Sequence, residues 1–214
     1  MKKLFASLLA ALGATSSPQA AQTVDINSVQ YSMPTVAADP IEYVIPTKES
    51  FQGAPQFHED EWAQLEFFPK SRLPEIQKAL TEYKAFEREN RVQYGWKKIY
   101  ARSLKRSTVL SSSSALQELG AFLPAPILVT SSKPLGQVKS GFSIKLGEGA
   151  HLYGLLDAKG VTVLAAHLAG ADDMLLTQSF TKLNTKHGLI LVDWRQQLVL
   201  VSVAPTGQID VWRP

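Results

Sequence analysis

The stretch GLILVDWRQQLVLVSVAPTGQIDVW, residues 188–212, decides the architecture. Gly188 to Trp194, Leu198 to Ala204 and Ile209 to Trp212 are runs of large and β-branched apolar residues. They are separated by Arg195-Gln196-Gln197 and by Pro205-Thr206-Gly207-Gln208, connections of hairpin length, so the chain ends in an antiparallel meander. Just upstream, Asp172 and Asp173 open a helix that carries Leu176, Phe180 and Leu183, with Lys182 and Lys186 near its end and Gly188 beyond it. Acid at the start and base at the finish complement the helix dipole. Leu152 to Leu156 and Val161 to Leu168 flank Asp157-Ala158-Lys159-Gly160, another hairpin turn, and Phe142, Ile144 and Leu146 alternate with Ser143 and Lys145 as a further strand. Ile127 to Ser131 also reads as strand, and Ser114 and Gln117 have the capping-box spacing of a short helix that ends around Gly120.

The preceding sequence carries a different period. Glu59, Asp60 and Glu61 place acid in a first turn, and Trp62, Leu65 and Phe68 follow at spacings of three until Pro69, which predicts a short helix. Ser71 then caps a longer one, with Leu73, Ile76, Leu80, Tyr83 and Phe86 on one stripe until Gly95 ends the pattern. Gln93 to Leu110 fits both periods and is read in part as strand. The expected class is α+β: N-terminal helices followed by a mostly antiparallel sheet with one inserted helix, in a single domain of residues 58–214.

Residues 22–57 read as an extended arm containing Pro34, Pro40, Pro46 and Pro55. Within it Val29-Gln30-Tyr31-Ser32-Met33-Pro34-Thr35 recurs as Ile41-Glu42-Tyr43-Val44-Ile45-Pro46-Thr47. Two segments of this kind suit addition to a sheet edge, the protein's own in preference to a partner's, with the core expected to fold without them. Residues 1–21 match a secretory signal peptide: Lys2 and Lys3, an apolar run from Leu4 to Ala14 too short to cross a bilayer, then small residues up to Ala20 and Ala21. The remaining sequence holds no apolar run near the length of a membrane helix, so no transmembrane span is expected after cleavage.

Cysteine is absent, which excludes a disulfide framework, a thiol nucleophile and a lipid-modified cysteine, and points to a bacterial envelope protein, periplasmic or secreted. Of the 22 Lys and Arg, Lys2 and Lys3 leave with the signal peptide, so 20 basic residues face 19 acidic ones and the global charge gives no case for nucleic acid. His58, His151, His167 and His187 are never three to five residues apart, so no metal motif and no cofactor are read. His167 alternates with Val161, Val163 and Ala165 on one strand face, either a core or a cleft position. Ser140-Gly141-Phe142-Ser143 lacks the nucleophile elbow; a hydrolase would have to bring Ser140 or Ser179 to His151, His167 or His187 and to Asp157 or Asp193.

One local composition stands out. Lys97, Lys98, Arg102, Lys105 and Arg106 are interleaved with Trp96 and Tyr100, with no acid between Glu89 and Glu118. These seven residues are the candidate binding surface for an anionic protein or envelope component, and charge reversal at Lys98 and Arg102 is expected to weaken binding without unfolding the chain. The functional expectation is an exported, non-catalytic binding or interaction protein of the bacterial envelope, such as an inhibitor, an immunity protein or a secretion or transfer accessory factor. The alternative is an exported hydrolase with a non-contiguous Ser/His/Asp or carboxylate site. A third class is self-association through the arm. Export predicts cleavage between residues 17 and 22; an intact mass of the exported protein that retains residues 1–14 would overturn this.

Overall fold

The Asp157-to-Gly160 turn behaves as its residues dictate. Asp157 Oδ1 accepts the Lys159 amide at 2.6 Å, Gly160 takes φ +123°, and the chain returns on itself as a long hairpin. In the computed structural model, residues 30–131 and 133–214 are described; the expected signal peptide and Val29 lie outside the described residues. The strands are β1 Thr35–Ala37, β2 Tyr43–Val44, β3 Gln56–His58, β4 Leu65–Pro69, β5 Arg91–Val92, β6 Gly95–Trp96, β7 Tyr100–Arg102, β8 Ala121–Leu123, β9 Ile127–Val129, β10 Pro134–Val138, β11 Gly141–Gly147, β12 Ala150–Asp157, β13 Gly160–Leu168, β14 Leu189–Asp193, β15 Leu198–Val203 and β16 Ile209–Trp212. The helices are α1 Lys48–Gly53, α2 Leu73–Asn90 and α3 Asp173–His187.

Eight strands form one antiparallel sheet in the order β16-β15-β14-β4-β13-β12-β11-β8. A second, four-stranded sheet runs β2-β10-β9-β3, with β3 and β9 parallel. The expected helices-then-sheet architecture is therefore wrong. The molecule is mostly β, and the segment read as a short N-terminal helix is β4, a central strand hydrogen-bonded to both β13 and β14. Only Glu59–Glu61 is helical there, as one 3-10 turn. The spacing of three among Trp62, Leu65 and Phe68 is coincidental: a strand buried on both faces shows no clean alternation, and Phe67 and Phe68 point into different cores. The longer helix matches α2, with Ile76, Leu80 and Tyr83 fully buried, but Ser71 does not cap it; the chain enters through a 3-10 turn at Lys70–Arg72. Helix α3 starts at an Asp172 cap whose Oδ1 accepts the Met174 amide at 2.8 Å, and stops at Gly188 with φ +62°.

Period-two alternation sends side chains of the large sheet to two faces. Phe67, Leu152, Leu164, Leu189 and Leu191 pack under Leu176, Phe180 and Leu183 of α3. On the opposite face, Phe68, Ile190, Val192 and Trp194 meet α2, while Tyr153, Leu155, Val163 and Ala165 meet Phe57, Leu128 and Val138 of the second sheet. Tyr153 OH accepts the amide of Ala63, a non-glycine residue held at φ +54°.

The arm is threaded into these layers. Tyr31 bridges Trp96, β1 runs parallel to β7, and β2 pairs with β10, so the two repeat segments both meet edges of their own chain. Thr35 is fully buried; its Oγ1 donates to the Tyr100 carbonyl at 2.8 Å and accepts from Arg102 Nη1 at 3.1 Å. The Arg102 guanidinium also donates to Ala63 O at 2.9 Å and Gln64 Oε1 at 3.4 Å, and lies 4.9 Å over the Trp194 ring. Burial pushes its pKa down from 12.5 to about 10. Arg102→Met leaves three buried acceptors without their donor and should destabilise the fold by about 3–5 kcal/mol, whereas Lys98→Glu should stay within about 0.5 kcal/mol. Urea midpoints check this, and equal midpoints for the two variants would contradict it.

Candidate functional site

The chain passes from the second sheet to the large one through Lys139 and Ser140. No side chain fits at Gly141, where a Cβ would lie 2.9 Å from the Ala125 methyl, and Ser140 takes φ +55° while its carbonyl accepts the Leu156 amide at 2.9 Å. This corner presents Lys139 and Ser140 to a cleft of about 480 Å³, facing Arg106, Ser107 and Thr108 from the segment after β7, with Asp157, Lys159 and Thr162 from the β12–β13 hairpin. Arm residues Pro40 and Glu42 form another wall. Arg106 Nε lies 3.2 Å from Asp39 Oδ2 and Lys139 Nζ 2.7 Å from Glu42 Oε2. The second pairing holds the Glu42 carboxyl below, and the Lys139 ammonium above, its ordinary pKa. The Lys159 ammonium has no ion-pair partner among the described residues. The arrangement gathers three cations and a set of hydroxyls, with Lys159 unpaired and Arg106 and Lys139 each held by an arm carboxylate that an incoming anion would have to replace.

The seven residues singled out in the sequence do not form one face. Lys97, Lys98 and Lys105 are exposed, Arg106 lines the cleft, and Trp96 is partly buried in its bridge to Tyr31. Tyr100 stacks on Tyr83 with centroids 5.3 Å apart. Arg102 is a correction: only 5% exposed, it belongs to the core. In β7, Tyr100 and Arg102 share the inward side and Ala101 faces out, a period-two signal that was present in the sequence. Reversing the Arg102 charge would disrupt the fold and not merely the binding. The cleft partners Lys139, Lys159 and Thr162 were missed because they lie on turns and strand ends remote in sequence.

The histidines are scattered with one exception. His58 Nδ1 accepts the Asp60 amide at 3.3 Å and His187 is exposed at the end of α3. His151 and His167 are opposite one another on β12 and β13. His167 Nε2 is 2.5 Å from Glu61 Oε2, its ring stacks on Phe57 at 4.4 Å, and it lines a cleft of about 220 Å³ with Gln64, Asp193 and Arg195. Ser179 Oγ donates to Leu175 O at 2.9 Å along its own helix, and among the described residues no serine hydroxyl is bonded to a histidine. Among the described residues no group of three or more His, Cys, Asp or Glu could hold a metal, and no helix is long and apolar enough to cross a membrane. Comparison with protein-family models, curated proteins and solved structures gives no match.

Glu66 supplies the most perturbed carboxyl. Burial pushes its pKa from 4.5 to about 7, against the opposing pull of Arg102 and of the Trp194 indole N–H, 3.3 Å from Oε2. Burial also raises the Asp193 carboxyl. A folded-state pKa above the unfolded one means the folded chain holds the proton more tightly. The Glu66 contribution is therefore complete below pH 4.5 and lost as pH rises from 4.5 to about 7. The loss is up to about 3 kcal/mol. Glu66→Gln should flatten this part of a stability-versus-pH curve; an unchanged slope in the variant would assign the titration to other groups.

Proposed function

We propose that the protein is an exported, non-catalytic binding protein of the bacterial envelope, periplasmic or secreted, that takes an anionic component in the cleft between Arg106, Lys139 and Lys159. What supports this reading is the convergence of those three cations with the hydroxyls of Ser107, Thr108, Ser140 and Thr162 in one open cleft of about 480 Å³. The exposed Lys97, Lys98 and Lys105 add positive charge to the segment leading to Arg106 and would contribute to steering an anion. Self-association through the arm is disfavoured, because β1 and β2 would have to leave their partners in the same chain. Titration with inorganic pyrophosphate, followed by amide chemical shifts, should move Ser107, Thr108, Ser140 and Thr162 saturably, with an affinity that falls as salt rises. An Arg106→Glu, Lys159→Glu variant should lose at least about tenfold in affinity, since two charge-assisted contacts are reversed. Shifts confined to other surfaces would sink the proposal.

The Glu61–His167 pair favours a second reading, hydrolysis with His167 as proton acceptor. It is the lesser one, since no described serine is bonded to that imidazole and the ring is wedged against Phe57. Ester or glycoside turnover by the pure protein that is lost in His167→Gln would reverse this ranking.

A further inference from the structure

The cleft cations are engaged by an acidic segment of the same chain. Between β1 and β2 runs Ala38-Asp39-Pro40-Ile41-Glu42, whose two carboxylates reach Arg106 at 3.2 Å and Lys139 at 2.7 Å. The contacts are not ionic alone. Arg106 Nη2 donates to the Pro40 carbonyl at 3.4 Å, and the Lys139 amide donates to the Glu42 carbonyl at 2.8 Å. Ile41 tucks against the core that contains Phe57 and Tyr153, and Tyr43 and Val44 then add to the β10 edge opposite Val138 and Gln137. Side-chain charge, main-chain carbonyls, one apolar anchor and a strand edge are the four things a peptide-binding groove reads in an extended ligand.

Resting on the reading of this cleft as an anion site, we infer that its partner is an acidic peptide segment with two carboxylates three residues apart, for which residues 39–44 are a built-in competitor. Both ion pairs sit on exposed or half-exposed side chains, where each adds little in water. The segment is thus held less by its charges than by its main-chain bonds, Ile41 and its tether, which sets an effective concentration in the millimolar range. The Thr35–Arg102 contact is buried, whereas the side-chain contacts of residues 39–42 are exposed to water. A partner peptide that repeats the Asp-Pro-Ile-Glu pattern replaces each contact one for one, with Lys159 available as an additional cation in the same cleft.

The test uses the full chain with Asp39→Asn and Glu42→Gln, two exposed changes that loosen the competitor, and the acetylated peptide AADPIEYV, residues 37–44 of this sequence, as probe. The double variant should bind the peptide about three- to tenfold more tightly than the wild type does, and a peptide with Asn and Gln in place of its two acids should bind more weakly by a similar factor. Thermal melts of the variant, expected to match wild type, show that the fold is intact. Equal peptide affinity for variant and wild type, or equal affinity for the acidic and neutral peptides, overturns the inference. Pyrophosphate separates the two claims: if it shifts the cleft amides and the peptide does not bind, the anion site stands and the peptide inference falls. If neither ligand binds there, both fall.

Discussion

A guanidinium buried where the arm, the turn before β4 and the end of the C-terminal meander's first strand meet is the constraint on which the rest of the structure depends. Arg102 is held by a hydroxyl from the arm, a carbonyl and an amide oxygen from the segment before β4, and the indole face of Trp194 at the end of β14. A charge taken out of water is tolerated only where its donors are satisfied, and these partners come from stretches of chain 38 to 92 residues away from it. Ala63 sits in left-handed backbone at the same place, fixed from one side by Arg102 on its carbonyl and from the other by Tyr153 on its amide. Two partners thus hold one strained turn, and the turn sets where β4 enters the sheet.

This arrangement also sets the character of the cleft. Anchored at Thr35, the arm leaves β1 and lines one side of the cleft on its way to β2, bringing Asp39 and Glu42 to the cations there. The firm contact and the weak ones are adjacent in sequence, four to seven residues apart. Firm anchoring keeps the acidic segment near the cleft; weak latching leaves it replaceable.

Legibility in the sequence followed how local the deciding interactions are. The hairpin at Asp157 to Gly160, helix α3 between its Asp172 and Gly188 caps, and the C-terminal meander are set by neighbours along the chain, and each was readable. Strand β4 was not, because its partners β13 and β14 lie about a hundred residues further on and burial on both faces erased its alternation. Arg102 looked like one more residue of a basic surface, since composition does not tell a solvated arginine from one facing Trp194; only the inward Tyr100 and outward Ala101 beside it carried that information. Of the cleft, the sequence marked Arg106 as a binding residue and Ser140 and Asp157 only as members of a hydrolase set. Lys139, Lys159 and Thr162 reach it through the topology of two sheets, which no short window of sequence contains.

The central claim is that one stretch of arm is built into the core while the next is only latched to it. Native-state hydrogen exchange tests this at three amides: Ala38, which donates to the Arg102 carbonyl at 3.0 Å, Tyr100, which donates to Pro34 at 2.9 Å, and Lys139, which donates to Glu42 at 2.8 Å. Ala38 and Tyr100 should be protected to nearly the level of Ala165 in the central strand β13, and Lys139 should exchange through a local opening of much lower free energy. Uniform, weak protection of all three would mean that the whole arm frays as a unit, and would contradict the account.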